Sequence, residues 1–246
     1  MSSKTNKNQE YSNNYIWQRN VSDARDIHIN LDNILTGSFA LLLSVLNNFK
    51  LLNDTGSAAL LLSLFTCIGH FSGNSIFRLT NHFSNLNVFV LLIGPSGSGK
   101  SKIIAPIKKS IHDTITALGI SEDEAGIVDD FTTASLSSKL AKSNVFVVID
   151  EAEKPLLEMG FYSPLSEVSA GDRISECKFY GSIPTTKDTM TYHLEIASHL
   201  SFLGATTGRL WHCLIHYYSQ GYQSDGFSER LVIICFLLYF LFSLNI

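Results

Sequence analysis

The amino-acid sequence predicts an α/β fold with a mostly parallel sheet flanked by helices, and three observations carry that prediction. Apolar runs of strand length alternate with segments of helical period along most of the chain. The run at 88–93 passes directly into Gly94-Pro95-Ser96-Gly97-Ser98-Gly99-Lys100-Ser101 and then into a helical pattern. The run Val145–Ile149 contains no polar residue and ends on the acidic pair Asp150-Glu151, as expected of a strand covered on both faces.

Composition sets the outer bounds. The chain has 246 residues and is 45% hydrophobic, enough for one large α/β domain or one domain with a small helical extension. Its formal net charge of −4 excludes a global basic field, so any nucleic-acid contact must be local. Cys67, Cys177, Cys213 and Cys235 are scattered without Cys-x2-Cys spacing. That argues against a disulfide framework and for an intracellular location, with cytoplasm and nucleus not distinguished. His212 and His216 would share a helical face beside Cys213, but no third or fourth metal ligand accompanies them.

The elements follow in order. Residues 1–34 form a polar leader, and no apolar signal-peptide core lies within 1–30. Residues 35–80 form a helical extension. Leu41, Leu42, Leu43, Val45 and Leu46 precede the turn Asn53-Asp54-Thr55-Gly56, and a second apolar patch runs over 58–68. Two buried helices packed as a hairpin are expected, followed by a short strand near 75–79. The core, 81–246, opens with a strand at 88–93 and a helix over 100–118. Ile103, Ile104, Ile107, Ile111 and Ile115 in that helix keep helical spacing, and Pro106 falls near its second turn. A short strand at 126–128, a helix at 133–142 and the strand Val145–Ile149 come next. Residues 171–198 form an excursion, with 175–180 and 189–194 paired as a hairpin around Ile183-Pro184-Thr185. Arg173, Lys178 and Lys187 there are matched by Asp172, Glu176 and Asp188, which leaves a weak drive for polyanion binding. A strand at 200–205, a helix at 210–218 and a strand at 231–236 complete the core. The apolar stretch 231–246 falls short of the ~20 residues that span a bilayer. It reads as a buried strand entering a truncated helix, with a tail anchor as the alternative and a membrane partner not expected.

The stretch Gly94–Ser101 is a complete Walker A loop. Its glycines let backbone N–H groups turn toward phosphate oxygens, Lys100 reaches the β- and γ-phosphates, and Ser101 offers its hydroxyl to Mg²⁺. The following helix directs its positive dipole end at the same anion. Gly94, Pro95, Ser96, Gly97, Ser98, Gly99, Lys100 and Ser101 are thus the expected ATP-binding residues. Asp150-Glu151 supplies the Walker B counterpart at the carboxyl edge of the sheet, where open α/β sheets bind ligands. Asp150 joins Ser101 on Mg²⁺, and Glu151 orients the attacking water. A glutamate beside the Walker B aspartate favours hydrolysis by water over transfer to a small acceptor. Such ATPases insert a sensor strand between the Walker A and Walker B strands, which places Thr206 or Thr207 near the γ-phosphate. A helix-capping role for this pair is equally open. Arg230, and less so Arg209, are candidates to reach a phosphate in their own or a neighbouring subunit. The catalytic candidates are therefore Glu151, Lys100, Thr206 and Arg230, and the fold class narrows to a RecA-like P-loop NTPase.

Over roughly residues 57–236 the chain resembles the primase-helicase-type P-loop ATPases of plasmids, phages and other mobile elements. The resemblance lies in Ile68-Gly69, the loop Gly94–Ser101, Thr133-Ala134-Ser135-Leu136, Asp150-Glu151, Leu203-Gly204-Ala205-Thr206 and Gly226-Phe227-x-x-Arg230. It implies an ATP-driven, helicase-like role in DNA replication or mobilisation, with ATP and Mg²⁺ as cofactors and single-stranded DNA and further copies of the chain as partners. Relatives carry a primase or zinc-ribbon module ahead of the ATPase and continue past the position of Arg230. The core is therefore expected to be truncated at its C-terminal side. The competing readings are a nucleotide-binding fragment without turnover, a P-loop small-molecule kinase and a membrane-tethered ATPase.

Overall fold

The structure, a computed structural model, describes residues 31–37, 40–48, 54–79, 82–163, 166–188, 193–211, 213–214, 217, 226 and 230–235. Helices α1 (Leu31–Ile34), α2 (Ala40–Asn48) and α3 (Asp54–Phe71) lead into an antiparallel pair, β1 (Ile76–Leu79) with β2 (His82–Asn85). Then come β3 (Phe89–Ile93), α4 (Ser101–Leu118), β4 (Ile127–Val128), α5 (Thr133–Leu140), β5 (Val145–Ile149), α6 (Glu153–Glu158) and α7 (Glu167–Tyr180). The strands β6 (Thr185–Asp188), β7 (His193–Ile196), β8 (Leu200–Thr206) and β9 (Leu231–Cys235) follow. The main sheet has the order β4-β5-β8-β3-β9, and every pairing in it is parallel. The chain is thus an α/β protein with a parallel sheet flanked by helices.

Period-two alternation decides which residues face which layer. Phe89, Leu91, Ile93, Val145, Val147, Ile149 and Phe202 point to one face, where Leu136, Leu140, Leu156 and Phe179 from α5, α6 and α7 cover them. Val90, Leu92, Phe146, Val148, Leu203 and Ala205 point to the other. There α4 contributes the five isoleucines of its helical stripe, all buried. Because β3 and β5 are wholly buried, their sequences are continuous apolar runs and not half-polar ones.

The helical segment before the core is one of the covering layers. Ala59, Leu60 and Cys67 of α3 and Leu46 of α2 belong to the same cluster as the isoleucines of α4. The buried ring of His70 in α3 ties the layers together through Nε2 and the Ala125 carbonyl, 2.7 Å apart. The expected pair of buried helices is corrected for α2. Leu41 and Val45, four apart and so on one helical face, are exposed, while Leu46 is buried.

Between β5 and β8 the expected hairpin is also corrected. Residues 175–180 belong to α7, and the hairpin pairs β6 with β7 in the register Asp188↔His193. Buried Arg173 and half-buried Cys177 and Tyr180, at i, i+4 and i+7, keep helical spacing. Ser175 donates to the Gly171 carbonyl one turn back. Extended backbone resumes just after Pro184, which lacks an N–H to continue a helix. Among the described residues no helix is long and apolar enough to cross a membrane. Residues 231–235 form a sheet strand, and the expected leader over 1–34 is corrected at its end, where 31–34 form α1 with Leu31 buried in the core; 236–246, residues 1–30 and the His212–His216 pair lie outside the described residues.

Candidate functional site

The loop 94–101 emerges from the carboxyl end of β3 and closes onto the first turn of α4. Its shape follows from two glycines. Gly97 and Gly99 have φ of +80° and +94°, backbone values that a side chain rarely tolerates. An added Cβ at either would enter open space. Positive φ, and not crowding, is what demands glycine there. The amide of Gly94 donates to the Thr206 carbonyl at 3.1 Å, which pins the start of the loop to the end of β8. Lys100 is buried and folds back over the loop. Its Nζ donates to the carbonyls of Gly94 and Pro95 and, at 3.2 Å, to Ser98 Oγ. Burial holds the Lys100 ammonium below its ordinary range, partly opposed by the negative charge of Asp150.

Parallel pairing carries the second group of residues to the same edge. Val145–Ile149 is buried throughout and Asp150 and Glu151 are exposed at its end. β8 lies between β5 and β3, so its end, Thr206, sits between the acidic pair and the loop. Two contacts set the spacing of the three strand ends. Ala152 N–H donates to the Ala205 carbonyl at 2.7 Å, and Gly204 lets Ala152 approach β8 closely. A Cβ on Gly204 would stand 2.8 Å from the Ala152 Cβ and 2.7 Å from the Phe202 ring. The outcome is a hydrogen bond from Ser101 Oγ to Asp150 Oδ1 at 3.1 Å, joining residues far apart in sequence. Loop, Asp150, Glu151, Thr206, Thr207 and Arg209 line one cleft of about 780 Å³.

The structure adds a residue that the sequence reading passed over. Glu153, in the first turn of α6, accepts hydrogen bonds at one oxygen, Oε1. The donors are Thr207 Oγ1 at 2.8 Å, Arg209 N–H at 3.1 Å and Thr206 Oγ1 at 3.2 Å. Its other oxygen, Oε2, lies 3.7 Å from Arg209 Nε. Thr206 Oγ1 in turn accepts from the Gly208 N–H at 3.1 Å. Tyr162 is buried near this cluster, its phenol pushed up to about 12 chiefly by burial, so it stays protonated at neutral pH. The sequence signal for Glu153 was its place three residues after Asp150, at a helix start directly behind the acidic pair.

Arg230 is not brought to this cleft. It immediately precedes β9, whose Leu231 is in register with Phe89 at the start of β3. It therefore sits at the amino edge of the sheet, roughly 16 Å, or five strand residues, from the loop. There it donates to the Gly226 carbonyl and contacts Cys177 Sγ at 3.6 Å, with its guanidinium 5.8 Å from the centre of the Tyr180 ring. The basic residues of the excursion are also engaged within the chain. Arg173 donates to the Ser163 carbonyl, Lys178 to Thr185 Oγ1 and Lys187 to Ser137 Oγ.

The residues present fit a magnesium-bound nucleoside triphosphate. A cradle of loop backbone, a buried lysine and a hydroxyl paired with a carboxylate meet at one sheet edge. Ser101 and Asp150 are the oxygen donors a hard divalent cation prefers. Among the described residues no group of three or more His, Cys, Asp or Glu side chains could hold a metal by itself. In comparisons with known proteins, no family model matches the chain and no curated protein matches it. The resemblance to the primase-helicase-type ATPases therefore rests on the motifs quoted for it.

Proposed function

We propose that the chain is a P-loop NTPase with a RecA-like sheet that binds Mg·ATP and hydrolyses it with water. The observation that carries this reading is the 3.1 Å hydrogen bond between Ser101 and Asp150 at the mouth of the glycine loop. A hydroxyl and a carboxylate from separate elements already meet where both would share one cation. ATP supplies the phosphoryl group, and Mg²⁺ offsets its charge. Loop amides and the start of α4 hold the phosphates. Lys100 swings from the Gly94 and Pro95 carbonyls to the β- and γ-oxygens. Glu151, exposed beside Asp150, accepts a hydrogen bond from the attacking water and aligns it. The central position of β8 and the adjacent Glu151 favour water over a small-molecule acceptor, which makes the kinase the weaker alternative. A helicase-like role in DNA replication or mobilisation, on single-stranded DNA and as a homo-oligomer, follows from the resemblance alone.

The test is ATP turnover by the full chain with and without single-stranded DNA, beside Lys100→Ala and Glu151→Gln. Lys100→Ala should lose nucleotide binding. Glu151→Gln should bind ATP with near parental affinity and lose at least about a hundredfold in turnover, the low end of general-base contributions. Turnover by Glu151→Gln at the parental rate sinks the assignment of the base. Parental protein that binds ATP without turning it over supports the non-hydrolysing reading instead.

A further inference from the structure

Away from the cleft, at the start of β8, lie three buried side-chain atoms without a hydrogen-bond partner: His70 Nδ1, His199 Nε2 and Ser201 Oγ. All three residues are more than nine-tenths buried. Alternation along β8 brings two of them to one face. Ser201 points the same way as Leu203 and Ala205, and His199, two residues earlier, precedes the strand on that side. Ser201 is in register with Phe146. The His70 ring comes down on Phe146 from the last turn of α3, with the ring centroids 5.4 Å apart. It is close enough to His199 for each ring to sense the other's charge. The neighbouring polar groups are already engaged. On α3, Ser63 and Thr66 donate to the Ala59 and Leu62 carbonyls. Asn144 accepts the His199 N–H at 3.1 Å and donates to Asn74.

We propose that these three atoms bind a single water molecule, which ties the last turn of α3 to the start of β8. The state of each donor and acceptor decides the ligand. His70 Nε2 lies 2.7 Å from the Ala125 carbonyl, which can only accept. The ring therefore carries its proton there and offers a lone pair at Nδ1. Burial keeps both rings neutral at pH 7, lowering His70 to about 4 and His199 below its ordinary value. Two imidazole nitrogens and a hydroxyl, none bonded to another, suit a small neutral molecule that both donates and accepts. An anion would find no cationic partner among these groups. A divalent cation would carry its charge into an apolar layer at heavy cost. Cys67, also on α3, does not offset that charge, because burial pushes its thiol up to about 11. Among the described residues no group of three or more His, Cys, Asp or Glu side chains could hold a metal. Magnitudes favour the water. An unpaired buried polar atom lowers the folding constant roughly 5- to 150-fold, while fixing one water lowers it at most about 30-fold. One water serves three such atoms. Because β8 is the central strand and ends at Thr206, the tie anchors its amino end against the helical layer. The inference does not depend on what the cleft binds.

A high-resolution crystal structure of the full chain, with water-to-imidazole cross-relaxation measured by NMR in solution, tests this. The crystal should show one ordered water within about 3.2 Å of His70 Nδ1, His199 Nε2 and Ser201 Oγ. The NMR spectra should show cross-relaxation from water to both buried rings. A direct bond between the two rings, reached by turning the His199 ring over, overturns the proposal. So does a metal ion or other solute on these atoms, or no water there at all. Stability gives a second arm. Ser201→Ala should lower the folding constant about fivefold or more in the parental chain, by leaving the water one partner short. In a His199→Leu background, where the leucine takes the place of the water, the same change should cost less than about twofold. Additivity of the two changes within about twofold counts against a shared water. Should either variant fail to fold, the two measurements on the parental chain decide the question.

Discussion

Gly204→Ala is the most direct test of how the strand ends are packed. Gly204 is in register with Ile149 of β5, and an added methyl would meet the Ala152 Cβ at 2.8 Å and the Phe202 ring at 2.7 Å. Both neighbours are among the most buried residues of the core, so neither can step aside into solvent. Overpacking of this kind costs about 1–3 kcal/mol. Replacing glycine also removes unfolded-state freedom, which returns about 0.4–1 kcal/mol where the native backbone accepts alanine. The net expectation is a loss of about 1–2 kcal/mol. At roughly 2–4 °C per kcal/mol for a chain of this size, that is a fall of about 2–8 °C in Tm. The site should feel it as well, because Ala152 stands between Glu151 and Glu153. Thermal melts and urea titrations of Gly204→Ala, Ala152→Gly and the double variant give the coupling. Ala152→Gly removes the aliphatic one of the two clashes, so the double variant should be at least about 0.5 kcal/mol more stable than the sum of the singles, the low end for residues in contact. A Gly204→Ala chain as stable as the parent, or additivity within error, refutes the packing described for β8 against Ala152.

Gly99→Ala should lose Mg·ATP binding and cost about 1–2 kcal/mol, because φ of +94° is strained for any side chain; retained binding would show that the loop adopts another path. Thr132→Ala should cost about 1 kcal/mol, read as a urea midpoint shift, since Thr132 and Ser135 form a reciprocal capping box at the start of α5. Burial, partly opposed by the Ala125 carbonyl, lowers His70 from 6.5 to about 4, with His199 nearby adding to the depression. Between those values the unfolded chain takes up a proton that the folded chain refuses, so stability falls as pH falls. The loss should be about 2 kcal/mol from pH 7 to pH 5, levelling below about pH 4. In His70→Gln most of that slope should vanish from urea midpoints measured against pH, and an unchanged slope would assign it elsewhere. Arg230→Ala should leave nucleotide Kd within about twofold while lowering stability by about 1 kcal/mol through its lost hydrogen bond; a large rise in Kd would contradict its place at the amino edge.

What the sequence determined by itself is the local machinery. A run of buried alternating residues, a glycine loop and an isoleucine-striped helix are written in contiguous positions. Val145–Ile149 with Asp150-Glu151 is equally contiguous, because a strand buried on both faces carries few polar residues until it ends. The place of Arg230 was legible in principle. A residue that immediately precedes a parallel strand lies at the edge opposite a loop that immediately follows one. The helix over Glu167–Tyr180 was harder, because its alternation of polar and apolar residues suits a strand and a partly buried helix alike. Tertiary structure alone decided the rest. Asp150 meets Ser101, and Glu153 gathers Thr206, Thr207 and Arg209, because three parallel strands end side by side and Gly204 lets Ala152 close the gap between them. Those contacts depend on strand order and register, which join residues about fifty positions apart, and no local pattern encodes them.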